Sequence, residues 1–572
     1  MKKFTALLLV TLLILGCLTG CTKESAGEPG QQQSEEELKQ QMPKEESEKE
    51  PVSEAAPKRV RDPEKFRVID YEDPRWFENA HLQDLDVDWP TIYLDDLSSG
   101  EAMIERGDWY FNKLFQDTSV TDVMLCCFEQ ISYIPSETME WVHEKVAKAQ
   151  RSTLPGYESV YELYQDFYKS IQSFGLDWYQ YAIDACKEAG VRPWIYLRMN
   201  DHHNIGDPNS PYHEKFYSTA AKKGYLIGHE EDYGSGAYAY DFSEKEVRNW
   251  MLAYIEEVLN RYDAFGLQLD FVREICCFDY LRNPDCTEIM TGFIRDVRNL
   301  LDKAEKIHGH PMKLMIRLGS SSEHDRVYGF DVAEWVSEDL IDAVVPSPHL
   351  FLDSGIPVAE WKELVGEDIA VFPGMEAYLL QSTFNTKAAH IKGLCAGYFD
   401  QGADGIYFNN FYQLGSEGPQ VYGIDWSNVE DGVRSYVVTC GDYAPKGGYR
   451  PYDPLPLMLN GKSKELTVQM GSVREGEYVY VQVGYTHSKA LTTSLTVNGI
   501  EPCEVITEKI KDGDVSGWRF AANGDKSPVN TLLRYRFDGV GPTDELHLEF
   551  AENDGSCRVE SVCVTVRTFT VP

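Results

Sequence analysis

The sequence predicts an α/β chain: a (β/α)8 TIM barrel followed by a C-terminal antiparallel β-sandwich. Three observations carry that expectation. Between about residues 90 and 412, short apolar runs alternate with amphipathic helical stretches, as parallel strands joined by crossover helices do. Most of those runs end in a polar residue, at the end where barrel loops build a site. After about Arg450 helical periodicity stops, and short alternating segments separated by turns take over.

The chain start comes first. Lys2 and Lys3 precede an apolar run from Leu7 to Leu15, the layout of a signal peptide. That run is shorter than the roughly 20 apolar residues needed to span a bilayer. Leu18-Thr19-Gly20-Cys21 resembles the lipobox of bacterial lipoproteins, which makes Cys21 the expected lipid-bearing residue of segment 1–21. Cys17, after Ile14-Leu15-Gly16, is a weaker match. Residues 22–60 read as a disordered acidic tether, rich in Glu, Gln, Lys, Ser and Pro and too poor in apolar side chains to fold. The net charge of −39 argues against nucleic acid and against docking on anionic lipid. Membrane contact is therefore expected through the lipid anchor alone, with the folded body facing outside the cytoplasm.

About 510 residues remain, suited to a barrel (61–445) plus an accessory domain (446–572). The expected strands follow in order. Thr91–Leu94 precedes Asp95-Asp96, and Asp122–Phe128 precedes Glu129. Arg192–Met199 leads to Asn200-Asp201-His202-His203, after an amphipathic helix over Trp178–Ala189. Phe265–Phe271 lies between helical patterns at Glu244–Tyr262 and Thr287–Ile307. Lys313–Leu318 ends in Gly319-Ser320-Ser321, and Ala343–Val345 leads to Pro346-Ser347-Pro348-His349. Ile369–Gly374 ends at Met375-Glu376, and Gly405–Phe408 at Asn409-Asn410-Phe411-Tyr412.

The polar strand ends suggest a chemistry. Asp270 and Glu376 end the fourth and seventh expected strands, which lie across the barrel mouth from each other. Glycoside hydrolysis needs such a pair: one carboxyl protonates the leaving oxygen while the other attacks the anomeric carbon or activates water. Arg273, three residues after Asp270, would keep it ionised as a nucleophile requires. Glu376 is then the acid/base, Glu274 a reserve acid/base, and retention of configuration the expected outcome. Asp201, His202, His203, His349, Asn409 and Asn410 are expected to bind sugar hydroxyls, with Tyr378 and Tyr412 stacking on a sugar face. The bland alternative is that Asp270 merely pairs with Arg273 and Glu376 caps a helix. Adjacent histidines rarely ligate one ion and no third ligand is suitably spaced, so no metal is expected. No phosphate loop, dinucleotide fingerprint or nucleophile elbow occurs, and no cofactor is expected.

Three motifs, Arg-Met-Asn-Asp-His-His at 198–203, Leu-Gln-Leu-Asp-Phe-Val-Arg at 267–273 and Ala-Asp-Gly-Ile-Tyr-Phe-Asn-Asn-Phe at 403–411, resemble the glycosyl-hydrolase-like family 10 barrels. The resemblance covers roughly residues 90 to 440. It implies an exported bacterial, sugar-acting TIM barrel, often with a C-terminal β-sandwich, and no particular substrate. Asp270 occupies the strand end where many related barrels carry Asn-Glu.

The sandwich is expected to contain Glu465–Met470, Tyr478–Val483, Ser494–Val497, Leu532–Phe537, Glu545–Phe550 and Val562–Val566, with turns such as Asn498-Gly499 between them. Its expected role is packing against the barrel. Most cysteines read as small buried apolar groups, with one disulfide possible among Cys503, Cys557 and Cys563. Together these readings predict a surface-anchored glycoside hydrolase acting on an oligo- or polysaccharide. The alternative is a non-catalytic carbohydrate-binding lipoprotein serving glycan capture or uptake.

Overall fold

In the computed structural model the apolar runs become one parallel sheet. The structure describes residues 67–72, 100–115, 118–142, 169, 172–201, 213–272, 275–348, 352–376, 387–409, 429, 432–438, 454–488, 491–508, 529–553 and 556–568. In chain order the first part holds β1 (Arg67–Glu72), α1 (Gly100–Phe115), β2 (Asp122–Glu129), α2 (Trp178–Glu188) and β3 (Arg192–Arg198). Then come α3 (Lys245–Arg261), β4 (Gly266–Asp270), α4 (Cys286–His308), β5 (Lys313–Leu318) and β6 (Ala343–Pro346). It closes with α5 (Val358–Val365), β7 (Ala370–Val371), β8 (Gly374–Glu376), α6 (Lys387–Asp400) and β9 (Gly405–Asn409). The nine-residue helix Lys215–Lys223 and several shorter ones lie between these elements.

The hydrogen-bonded order is β7-β6-β5-β4-β3-β2-β1-β9-β8, and each neighbouring pair is parallel. Its two ends, β7 and β8, are separated in sequence only by Phe372 and Pro373. One chain segment therefore serves both edges, and the sheet curls back on itself as in an α/β barrel. Proline has no N–H to give a ladder, which fits the break at this point. The expected strand Ile369–Gly374 is thus two short pieces, one paired with β6 and the other with β9.

The expected first strand is corrected. Arg67–Glu72 fills the place between β2 and β9, with Ile69 opposite Asp122 and Tyr407. Thr91–Leu94 lies outside the described residues. Inside the curl, Ile69, Met124, Trp194, Tyr196, Met315 and Tyr407 form an apolar plug. Alternate residues such as Val68, Val123, Ile195 and Leu269 join the larger cluster shared with the helices. This two-residue alternation sorts each strand into an inner and an outer row. At the N-terminal end, buried Asp122 accepts from Arg67 Nε (3.0 Å), Arg192 Nε (3.0 Å) and Trp194 Nε1 (2.8 Å). Burial opposes its charge, but Arg67 and Arg192 outweigh that and hold the carboxyl below its ordinary value.

The C-terminal part consists of two antiparallel sheets. The larger runs β10 (Arg434–Val438), β18 (Cys557–Thr568), β13 (Glu477–His487), β16 (Thr531–Asp538) and β15 (Glu504–Glu508), with β11 (Leu457–Met458) on β18. The smaller runs β12 (Lys464–Val473), β17 (Thr543–Phe550) and β14 (Leu495–Val497). Val479, Val481 and Val483 of β13 share one apolar cluster with Leu466 and Val468 of β12, so the two sheets face each other. Strand β10 falls within the 61–445 span read as barrel but pairs with β18. None of Cys503, Cys557 and Cys563 is in a disulfide, which removes the bridge considered among them.

The two parts touch along α6. Gly393 lies so close to β10 that an added Cβ would sit 2.2 Å from the Ser435 carbonyl oxygen. Three residues further along the helix, the Ala396 Cβ would lie 2.6 Å from a Cβ added to Gly471 of β12. On the same seam, Ser354 donates to the Val437 carbonyl from its backbone N–H (2.7 Å) and its hydroxyl (2.8 Å).

Candidate active site

The strand register builds a row of charge at the C-terminal end of the parallel sheet. Glu129 of β2 pairs with Arg198 of β3, Arg198 with Asp270 of β4, and Asp270 with Arg317 of β5. Acid, base, acid and base thus stand side by side across four adjacent strands. All four are buried, with Asp270 only 1% exposed. Isolated charges at such depth would be costly, so pairing is required.

The pairing is specific. Arg198 Nη1 forms an ion pair with Glu129 Oε1 and lies 3.3 Å from Asp201 Oδ2. Asp270 Oδ2 accepts from the Tyr196 hydroxyl and from Arg317 Nη1 at 2.8 Å. Asp270 Oδ1 accepts from the Val272 backbone N–H at 2.8 Å. Arg317 is held in turn by its Nη2 donating to Ser347 Oγ (3.0 Å), and its guanidinium stands 5.7 Å from the Tyr407 ring centre. Burial first, and the Asp270 carboxylate second, push the Tyr196 hydroxyl well above its ordinary value. It therefore stays protonated and donates. One layer deeper, Tyr407 donates to Gln268 Oε1 at 3.0 Å, which fixes the floor of the site.

These contacts sort the sequence-predicted residues. Asp270 lies where expected, at the end of β4, and Asp201 is buried beside it through Arg198. The cation that pairs with Asp270 among the described residues is Arg317 from the next strand; the role expected of Arg273 falls outside those residues. Asn409 is buried at the end of β9 and stands in register with Glu376 at the end of β8. Glu376 is described by that strand position only. Arg273, Glu274, His202, His203, His349, Tyr378, Asn410, Tyr412 and Cys21 lie outside the described residues.

Sequence reasoning did not assign roles to Glu129, Tyr196, Arg198, Arg317 or Ser347. A signal was present: Tyr196 and Arg198 are two residues apart, so they share a strand face. Arg317 is the one charge within Leu314–Leu318, and a charge inside an apolar run needs a buried partner. One group of potential metal ligands among the described residues, His229, Glu231 and Asp232, has ligand atoms within 4.8 Å of one another. It lies on the short helix Glu230–Tyr233 and its flank, where Asp232 is already engaged by Arg282.

No protein-family model matches the sequence, and no curated protein matches it. Among solved structures, the chain is similar to α-L-fucosidase isoenzyme 2 from Paenibacillus thiaminolyticus at 13% identity, with 59% of this chain and 51% of that chain covered and a TM-score of 0.35. It is similar to the chitinase ChiW from Paenibacillus sp. str. FPU-7 at 11% identity, covering 82% of this chain and 52% of that one, TM-score 0.35. It is also similar to the PgaB (BpsB) glycoside hydrolase domain from Bordetella bronchiseptica at 10% identity, covering 63% and 99%, TM-score 0.35. The chain spans about half the length of the fucosidase and chitinase chains it matches.

Proposed function

We propose that this protein is a glycoside hydrolase built on a (β/α)8 barrel, with Asp270 as its nucleophile and a β-sandwich packed behind. The observation that carries the reading is Asp270 itself. It is a buried carboxylate at a strand's C-terminal end, held by an arginine, a tyrosine and a backbone N–H. Charge-assisted bonds of this kind are short and strong, and they fix the carboxyl in place for attack on an anomeric carbon. With Asp201 beside Arg198, the row and its flank set three acids, Glu129, Asp201 and Asp270, against two bases, Arg198 and Arg317, among the described residues. An oxocarbenium-like transition state is positively charged and gains from such surroundings. Glu376, at the end of β8, is the proposed acid/base across the mouth, with Glu274 in reserve.

The substrate is an oligo- or polysaccharide, and the anchor is a lipid on Cys21, with residues 22–60 as tether on the outer side of the membrane. No helix among the described residues is long and apolar enough to cross a membrane.

The test is a screen of soluble residues 60–572 against plant, host and peptidoglycan glycans, beside Asp270→Asn. The reading expects hydrolysis by the parent chain, and glycan binding without turnover by the variant, because the amide keeps the shape and loses the nucleophile. Binding without hydrolysis by the parent chain would replace it with the glycan-capture lipoprotein.

A further inference from the structure

We infer that Arg317 and Tyr196 are positioning residues that hold Asp270 by Oδ2 and leave Oδ1 as the attacking oxygen. The inference rests on the glycoside-hydrolase reading above.

A carboxylate oxygen offers two lone pairs. On Oδ2 both are engaged, by the Tyr196 hydroxyl and by Arg317 Nη1 at 2.8 Å. Among the described residues Oδ1 carries one bond, from the Val272 N–H at 2.8 Å, which leaves its second lone pair for attack. Neither holding group is loose. Tyr196 belongs to the apolar plug inside the sheet, and Arg317 is fixed by Ser347 and stands by the Tyr407 ring. The charged or titratable groups that face Asp270 from the flanking strands are Tyr196 and Arg198 on β3 and Arg317 on β5, with Tyr407 of β9 facing Tyr196 from across the plug.

In the chemical step Oδ1 forms a bond to the anomeric carbon as the bond to the leaving oxygen breaks. The electron pair of that bond goes to the leaving oxygen, which takes a proton from the partner acid. Asp270 becomes a neutral ester, and water, losing a proton to that same partner, later releases the sugar and restores the carboxylate. Arg317 therefore faces a charge that vanishes and returns in each turnover, while Oδ2 stays held throughout.

The experiment has two arms. In the first, kcat/KM is followed against pH for the parent chain, Arg317→Gln, Arg317→Lys and Tyr196→Phe. Loss of the guanidinium should move the acid limb of Arg317→Gln to higher pH. Tyr196→Phe should lower kcat/KM about 10- to 100-fold with a smaller move of the limb. Arg317→Lys should return the limb towards the parent position without restoring the full rate, since it keeps the charge and loses the fork. A merely structural role would lower activity at every pH and leave the limb in place. Should Arg317→Gln not fold, the tyrosine and lysine variants carry the test.

In the second arm the sugar is trapped on the enzyme with a fluorinated glycoside and the adduct crystallised. The ester oxygen should be the one turned away from Arg317. An unmoved acid limb in folded variants, or an ester through the oxygen beside Arg317, overturns the inference and leaves Asp270 as nucleophile. No hydrolysis by the parent chain overturns the reading beneath it as well.

Discussion

Replacing Gly393 by alanine tests how the two parts of the molecule are joined. The added Cβ would stand 2.2, 2.7 and 2.8 Å from the O, C and N of Ser435, all backbone atoms of β10. Carbon contacts are comfortable at about 3.5–4 Å, so α6 and β10 must separate by about an ångström. The same seam has little slack, because a Cβ added to Gly471 would meet the Ala396 Cβ at 2.6 Å and Ser354 ties Val437 by two bonds. Overpacking of this kind costs about 1–3 kcal/mol. At 1.4 kcal/mol per factor of ten, that multiplies the undocked population about 5- to 150-fold. Limited proteolysis of the segment between β10 and β11 reads this population directly. Gly292 supplies the control: it lies in α4 with nothing within 4 Å of an added Cβ. Gly292→Ala should therefore stabilise the protein by about 0.5–1 kcal/mol through helix propensity alone. Cleavage of Gly393→Ala at the parent rate would refute the rigid seam.

Other consequences follow from single residues. His390 is buried in α6, and burial pushes its pKa down to about 4. The unfolded chain takes up that proton near the ordinary value of about 6.5, so the contribution is intact above it and is lost as pH falls towards 4, by up to about 3 kcal/mol. His390→Leu should therefore lose less stability than the parent between pH 7 and 4.5, measured as urea midpoints; equal losses would contradict this. Glu477 accepts from buried Arg434 at 3.1 and 2.8 Å and from the Arg474 N–H at 2.8 Å. Glu477→Gln leaves that arginine without its counter-charge and should cost about 3–5 kcal/mol at unchanged denaturant slope; a loss below about 1 kcal/mol would show the pair to be dispensable. Cys21→Ala should free the protein from the membrane with its folded body intact, and membrane retention without lipid on Cys17 would end the anchoring proposal.

Much of this architecture was legible because barrel strands are apolar on both faces. Lys313–Leu318 reads as a strand from its residues alone and has those bounds in the fold. Arg67–Glu72 is hard to read for the opposite reason: its sequence RVIDYE carries three charges in six residues, one of which, Arg67, is spent on Asp122 at the base. Asp270 was legible as an acid ending an apolar run. The pairing with Arg317 was not, since Arg317 lies 47 residues away in sequence and is brought beside Asp270 only by the β4–β5 register. Strand β10 escaped notice because RSYVV precedes the change of texture at Arg450, and only its pairing with β18 assigns it to the second sheet.

Covalent labelling tests the central claim most directly. The soluble chain is incubated with a panel of 2-deoxy-2-fluoro glycosides bearing good leaving groups, and the labelled peptide is sequenced by mass spectrometry. The account predicts one sugar per chain, on Asp270, and no label on Asp270→Asn. A label on Glu376 or Glu274, or continued hydrolysis of a matched substrate with no label on Asp270, would contradict it.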